Sequence, residues 1–258
     1  MSLTYSDYLN LDQLLSAQHP QSNEHDEMLF VIIHQAYELW FKQILHETDY
    51  TQEMLRQQDA PRTLHTLRRI LTILKVLVTQ LDILETMTPL EFLTFRDRLE
   101  SASGFQSYQF RELEFVLGAK RLSAINHFPE GSMARTALEG RYRQPTLWDA
   151  FLHYLAAKQY PVPAELLTRD VTRPVEPSPQ LQTILVNVYR NDFATGRICE
   201  RLVDLDEGVQ EWRYRHVKMV ERTIGNKKGT GGSTGVGYLT NTLHRPVFPD
   251  LWAIRAAF

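Results

Sequence analysis

The sequence predicts an all-α protein, built as a helical bundle of long antiparallel helices with a smaller helical insertion. Three observations lead to this prediction. Apolar residues recur three or four positions apart over long stretches that contain neither glycine nor proline. Helix start signals, such as capping boxes and proline in the first turn, precede several of these stretches. No run of useful length alternates apolar and polar residues, as a half-buried strand would. Helices packed on helices therefore account for the whole chain.

Two long helices are expected in the first half of the chain. Asn23 is positioned to cap the first, whose pattern then runs without a helix breaker to about Gln58. Asp59 and Pro61 open the second helix. The second helix carries one apolar stripe, typical of a bundle core, formed by Leu64, Leu67, Leu71, Leu74, Val78, Leu81 and Leu84.

A short helix follows a strong start signal. The run Thr88-Pro89-Leu90-Glu91 is a capping box with proline at the first helical position. The helix places Phe92 and Arg96 four residues apart, and so on one face. Two interpretations of Arg96 remain open. It is either a surface charge whose aliphatic chain is buried, or a guanidinium that binds a carboxylate through two hydrogen bonds.

The second half is expected to be less regular before it ends in another helical region. A break at 101–104 precedes a helix at 105–117. Residues 119–145 are expected to be a loop with one short helix, and 146–159 a helix that a second capping box opens. Prolines make 160–180 a linker or irregular excursion. Ser178-Pro179 starts the last helical region, which has a possible break near 191–196 and ends at Gly225.

His216 lies on the apolar face of that last helix. Its neighbours on this face are Val209, Trp212, Met219, Val220 and Ile224. The simpler interpretation is a core histidine whose ring nitrogens are hydrogen-bonded within the protein, and the alternative is an iron ligand. A single histidine cannot hold zinc, which needs three or four protein ligands. It can hold haem iron, because the porphyrin supplies four nitrogens and the protein adds one axial imidazole.

Residues 229–237 contain five glycines together with Thr230. Glycine at this density permits close approach of the backbone to a ligand. A phosphate-binding loop is excluded, since the lysines precede the glycines, and so is a dinucleotide fingerprint, since a helix and not a strand comes before the loop.

Composition limits the classes of function. The net charge of −3 and the spread of Lys and Arg give no support for nucleic-acid binding. No signal peptide and no apolar run long enough for a membrane span is evident. The single cysteine, Cys199, excludes an internal disulfide. These features predict a cytoplasmic protein without membrane or nucleic-acid partners.

Four separated runs closely resemble the tryptophan 2,3-dioxygenase family of haem enzymes. They are HDEMLFVIIHQAYELWFKQILHE at 25–47, LETMTPLEFLTFR at 84–96, SASGFQSYQFR at 101–111 and RHVKMVERTIGNKKGTGGSTG at 215–235. They occur in the family's order and reach across most of the chain. Residues 119–180 resemble the family poorly.

The resemblance implies one haem b per subunit. His216 matches the proximal iron ligand, and the helix face that includes Trp212 would form one wall against the porphyrin. Ser103 and Gly104 match a segment at the haem edge.

The resemblance also implies a site for L-tryptophan. His34 matches the distal histidine that bonds the indole N–H, and Phe30 lines the same pocket. Arg96 matches the arginine that binds the substrate carboxylate, with Phe92 beside it. Thr230 matches the threonine that contacts the amino-acid end of the substrate.

A homotetramer is implied as well. Tyr5, Tyr8 and Leu9, which share a helical spacing, match an arm that enters the neighbouring subunit's pocket. The expected division is an arm at 1–22 and a single all-α haem-binding catalytic domain at 23–258, with a variable insertion at about 119–180.

The activity that the resemblance implies is insertion of both atoms of O2 across the indole C2=C3 bond of L-tryptophan. The product would be N-formylkynurenine, formed in the first step of tryptophan catabolism by the kynurenine route. Three alternatives remain: a haem or O2 sensor without turnover, a purely structural helical module, and a relative acting on a substituted indole.

Overall fold

The computed structural model describes residues 2–225, 227, 236–240, 243 and 245–258, with only the backbone of Tyr238. Within these residues the regular structure is helical and contains no strand, so the all-α prediction is confirmed. None of the described helices has both the length and the apolar character needed to cross a bilayer. The α-helices are Tyr5–Leu9 (α1), Leu11–Leu15 (α2), His25–Arg56 (α3), Ala60–Leu84 (α4), Pro89–Arg96 (α5), Tyr108–Val116 (α6), Leu122–Ile125 (α7), Met133–Tyr142 (α8), Leu147–Ala157 (α9), Ala164–Leu167 (α10), Pro179–Asn191 (α11), Phe193–Ile224 (α12), Val236–Thr240 (α13) and Pro249–Ala253 (α14), with 3₁₀ turns at Asp97–Leu99, Gly104–Gln106 and Ile254–Ala257.

Three long helices form the centre of the bundle. Helices α3 and α12 have 32 residues each, which makes each about 48 Å long. Helix α4 packs along both of them. The buried Tyr37 hydroxyl on α3 donates a hydrogen bond of 2.7 Å to the Leu77 carbonyl on α4. This bond satisfies a polar group inside the core and holds the two helices in one register.

The predicted stripe of α4 forms the core. Asp59 caps the helix, since its carboxylate accepts the Arg62 backbone N–H at 3.0 Å. Leu67 and Leu81 are almost completely buried, and the other members of the stripe are buried or pack against the same core. The periodicity therefore identified the buried face correctly.

The start of α3 differs from the prediction. The helix begins at His25, Glu24 occupies the N-cap without a side-chain bond, and Asn23 is exposed. Glu27 reaches back instead, and its buried carboxylate accepts the backbone N–H groups of Gln21 at 2.7 Å and Ser22 at 2.8 Å. The prediction that Asn23 caps the helix was wrong, because a carboxylate inside the first turn binds the preceding chain.

Other helix boundaries followed local signals more closely. The capping box at Thr146 and the start at Pro179 are confirmed. The break near 191–196 lies at Asp192, whose side chain caps α12. Helix α6 begins at Tyr108 rather than at 105, because Ser107 provides its cap after a 3₁₀ turn. Gly225 ends α12 with a φ of +58°, a conformation that favours glycine.

A buried carboxylate joins the C-terminal segment to α12. One oxygen of Asp206 accepts the backbone N–H of Val247 at 2.9 Å, that of Phe248 at 3.0 Å and the indole N–H of Trp252 at 3.0 Å. The other oxygen is buried without a partner among the described residues, and so is the side-chain oxygen of Gln210 one turn later. Burial raises the pKa of Asp206.

Replacing Asp206 with alanine is expected to lower the free energy of unfolding by roughly 3 kcal/mol, because two buried backbone donors and the half-exposed indole N–H of Trp252 lose their acceptor. Asp206→Asn is expected to stay within about 1 kcal/mol of the wild type, since its amide oxygen can accept the same three bonds. Urea unfolding measures both differences. An asparagine variant as unstable as the alanine variant would contradict this account.

The same residue predicts a pH dependence. The pKa of Asp206 is raised in the folded state. The contribution of Asp206 to the free energy of unfolding is therefore fully present below the pKa that this residue has in the unfolded chain. The contribution is lost as the pH rises through the folded value. The asparagine variant has no carboxyl group to titrate, so its stability relative to the wild type is expected to improve as the pH rises above about 4, the ordinary pKa of aspartate.

Candidate active site

One cavity of about 260 Å³ lies between α3, α4, α5, α6 and α12. Its volume is near the lower end of the range usual for small-molecule sites. Residues from distant parts of the sequence line it, including eight that the sequence analysis selected. Those eight are Phe30, His34, Phe92, Arg96, Ser103, Gly104, Trp212 and His216.

Helix α12 brings His216 to the cavity with one ring face covered. The buried Trp212 ring, one turn earlier, stacks on the imidazole with centroids 5.2 Å apart and planes 12° apart. The imidazole makes no hydrogen bond to any other described residue. Burial, and to a smaller extent the charges of His34 and Arg111, lower the pKa of His216 to about 4. The ring is therefore neutral near pH 7 and can offer a nitrogen lone pair to a metal.

Helix α3 presents His34 in a defined tautomer. Its Nδ1 atom lies 2.7 Å from the Phe30 carbonyl oxygen. A carbonyl only accepts, so Nδ1 carries the proton. Burial lowers the pKa of His34, although the bond to Phe30 and the charge of Glu38 oppose this. The neutral ring then leaves Nε2 as a hydrogen-bond acceptor. The Phe30 ring packs on the imidazole, with centroids 4.2 Å apart.

Helix α5 carries Arg96, whose side chain lines the cavity. Thr88 and Glu91 form the predicted capping box, which sets the orientation of this eight-residue helix. Phe92 is buried, and its ring lies 5.7 Å from that of Phe30. Arg96 follows one turn later and also faces the cavity. A guanidinium therefore lies on the same side as His34, beside apolar rings.

The remaining walls are mainly apolar. Helix α4 contributes Leu81 and Leu84, and Met87 lies just after this helix. Helix α12 contributes Val217 and Val220. A neutral imidazole that makes no hydrogen bond to a described residue, beside such walls, suits a flat, largely apolar group that needs one axial ligand, as haem does.

Three of the predicted site residues that the structure describes do not line this cavity, and a fourth is not described. Thr230 lies outside the described residues. Tyr5, Tyr8 and Leu9 form α1 as predicted, but their side chains are 74%, 73% and 39% exposed, and they do not line the cavity of their own chain.

Several lining residues were missed at the sequence level. Arg111 and Glu114 on α6, Arg213 on α12 and Glu38 on α3 all reach the cavity. Arg111 belongs to the run SASGFQSYQFR, which was the one signal for it. Glu38 likewise belongs to the run at 25–47. Glu114 and Arg213 are charged residues within helices, a pattern that usually indicates a solvated face.

Comparison with known proteins identifies the family. The family model described as tryptophan 2,3-dioxygenase matches residues 1–139 and 178–258. The chain belongs to the tryptophan 2,3-dioxygenase family. The matched segments include every described cavity residue that the sequence analysis selected.

Individual members of the family are similar along the whole chain. A tryptophan 2,3-dioxygenase from Herpetosiphon aurantiacus is 60% identical over 257 residues, covering 99% of this chain and 98% of the relative. One from an Anaeromyxobacter species (strain K) is 54% identical, covering 99% and 96%. One from Caulobacter vibrioides is 43% identical, covering 98% and 97%. The resemblance seen in the sequence motifs is therefore confirmed.

Proposed function

We propose that this chain is a haem-dependent dioxygenase that inserts both atoms of O2 across the indole C2=C3 bond of L-tryptophan, giving N-formylkynurenine. The observation that supports it is a single cavity lined by two neutral imidazoles from α3 and α12 and by a guanidinium from α5. Membership of the tryptophan 2,3-dioxygenase family supports the same reaction.

The proposed cofactor is haem b, held by His216. The neutral ring and the apolar residues around it fit this group, and Trp212 stacking would hold the imidazole plane in one orientation. Ser103 and Gly104 would lie at the haem edge. When bound, the haem supplies the iron chemistry that activates O2.

His34 is proposed to orient the indole. Its Nδ1–H is committed to the Phe30 carbonyl, so Nε2 is free to accept the indole N–H. This bond would set the rotation of the ring about its long axis and so present C2 and C3 in a constant position. Phe30 and Phe92 would pack against the faces and edges of the indole.

Replacing His34 with alanine is expected to slow turnover by about ten- to a hundredfold without abolishing it, because one neutral hydrogen bond and its orienting effect are lost. Wild-type enzyme is expected to discriminate strongly against tryptophan methylated at the indole nitrogen, and the variant much less. Steady-state kinetics with both substrates measures this. The exposed His153 provides a control, His153→Ala. Complete loss of turnover with unchanged tryptophan binding would instead indicate obligatory proton transfer by His34.

Arg96 is proposed to bind the substrate carboxylate, with Thr230 contacting the amino-acid end. A guanidinium fork pairs with a carboxylate through two parallel bonds, which fixes direction as well as supplying affinity. Apolar rings beside it would keep water from the reacting carbons. Two fixed ends, the carboxylate and the indole N–H, define the position of the whole substrate.

The N-terminal arm is proposed to complete the site of a neighbouring subunit in a homotetramer. The support is the exposure of apolar side chains along this arm, where Leu3, which precedes α1, and Leu15, at the end of α2, are each 72% exposed. Sedimentation analysis of the full chain tests this, and a monomer at micromolar concentration would contradict it. The division into an arm at 1–22 and a catalytic domain at 23–258, and the cytoplasmic location, stay predictions.

The decisive experiment uses protein expressed with haem supplied and then reduced. Addition of L-tryptophan and labelled O2 is expected to give a product that contains both labelled oxygen atoms, detected by mass spectrometry and by its near-ultraviolet absorbance. A haem sensor would bind the cofactor without forming product, and it would have no need for a guanidinium beside the distal imidazole. Haem binding without turnover would therefore favour the sensor.

A further inference from the structure

A carboxylate at the end of α4 pairs with two arginines of α12. Glu85 is the C-cap of α4, and only 15% of its side chain is exposed. Its Oε2 atom lies 3.0 Å from Nη1 of Arg222 and 3.4 Å from Nη2 of Arg215. Arg215 also pairs with Asp82 on α4, at 2.7 Å. The two arginines are about two helical turns apart, so Glu85 joins successive turns of α12 to the end of α4. We call Glu85, Arg215 and Arg222 the Glu85 network.

The part of α12 that this network holds is a wall of the cavity. Arg215 directly precedes His216, and Arg222 lies in the last turn before Gly225 ends the helix. Between the two arginines, the residues that line the cavity are His216, Val217, Met219 and Val220. The position of this wall relative to the end of α4 therefore depends on the Glu85 network.

The link from Glu85 to α5 is a tightly bonded corner. Every backbone N–H from Glu85 to Thr88 donates a hydrogen bond, the first three to carbonyls of residues 81–84 in α4 and the fourth to the Glu91 carboxylate of the capping box. Met87 in this corner is buried and lines the cavity. Because a corner bonded in this way does not open easily, a displacement of Glu85 is passed on to α5.

The Glu85 network therefore connects two walls of the same cavity, α12 with His216 and α5 with Arg96. The two helices also contact each other directly. We infer that Glu85 is a positioning residue that sets the separation of α5 from the C-terminal turns of α12, and so places the Arg96 guanidinium for the carboxylate of the amino acid. This rests on the proposed function, because it takes L-tryptophan as the ligand and Arg96 as its carboxylate partner.

The test compares L-tryptophan with tryptamine, which lacks the carboxylate, on reduced, haem-loaded full-length protein without O2. Glu85→Gln keeps the size of the side chain and removes the charge that both arginines share. This variant is expected to bind L-tryptophan about 3- to 10-fold more weakly, because small displacements of a binding group are costly while partly exposed ion pairs are individually weak. Tryptamine affinity and haem affinity are expected to stay unchanged. In steady-state turnover, KM is expected to rise more than kcat falls.

Two further variants complete the experiment. Glu221→Gln is the matched control, since Glu221 pairs at 2.8 Å with Lys218 and this ion pair joins two residues of α12 only. It is expected to bind both ligands as wild type does. Arg222→Gln removes one of the two pairs from a largely exposed arginine. It is expected to give a smaller loss in the same direction, and it provides the test if Glu85→Gln folds poorly.

Unchanged L-tryptophan affinity in Glu85→Gln and Arg222→Gln would overturn the inference. Equal loss of tryptamine affinity would also overturn it, since that result indicates a general distortion of the cavity. Both outcomes leave the proposed function standing, because wild type would still bind and convert L-tryptophan. Failure of haem-loaded wild type to bind L-tryptophan would overturn both proposals.

Discussion

His216→Ala is expected to lose haem, while its helices and its apo-protein stability remain close to wild type. The imidazole makes no hydrogen bond to a described residue, so its removal breaks no hydrogen bond within that part of the chain. Loss of a group that supports a metal ligand typically costs about 10- to 100-fold in metal affinity, so loss of the ligand itself is expected to cost more than about 100-fold. Soret titration of haem into apo-protein measures the affinity, and circular dichroism measures the helix content.

Two controls sharpen this prediction. His153→Ala removes an exposed histidine from α9 and is expected to leave haem affinity unchanged. His216→Gly with added imidazole is expected to recover haem binding, because the free base can occupy the space vacated beside Trp212. Wild-type haem affinity in His216→Ala would show that the proximal ligand lies elsewhere.

Arg96→Met is expected to weaken L-tryptophan binding by about 100-fold or more and to leave haem affinity unchanged. Each charge-assisted hydrogen bond to a carboxylate contributes about 1.5–3 kcal/mol, and a bidentate pair contains two. Methionine keeps an apolar stem of similar length, so the packing around Phe92 is largely preserved. Substrate-induced change in the haem spectrum gives the dissociation constant.

Tryptamine, which lacks the carboxylate, separates charge recognition from general disruption of the pocket. Wild type and Arg96→Met are expected to bind tryptamine with similar, low affinity. Arg98→Met removes an exposed arginine two positions away and is expected to behave as wild type. Equal weakening of tryptophan and tryptamine would contradict the carboxylate assignment, since it would indicate a distorted cavity.

Much of the candidate site could be predicted because its motifs are local. His34 and Phe30 are one helical turn apart, as are Phe92 and Arg96 and also Trp212 and His216. Each pair therefore shares a face wherever its helix packs. What their spacing leaves open is whether these three faces meet. Their convergence on one cavity depends on α4 packing against α3 and α12 over residues far apart in the chain.

Two features that the sequence analysis predicted wrongly or missed depend on contacts that residue type alone does not reveal. Asn23 is a good N-cap by residue type, but Glu27 binds the preceding backbone and is buried there. Arg111 resembles an ordinary surface charge of an amphipathic helix. Only the approach of Glu114 and Arg213, which are separated by 99 positions, makes it part of a buried cluster.

The amino-acid sequence by itself determined the helices, most of their ends and the side chains that share a face, because periodicity, caps and helix breakers act within a few residues. Tertiary structure alone decided which faces enclose the cavity, the tautomer available at His34 and the burial of the ion pair between Arg111 and Glu114. Those properties depend on burial and on partners brought together from distant segments, and burial is a property of the packed chain rather than of any one stretch.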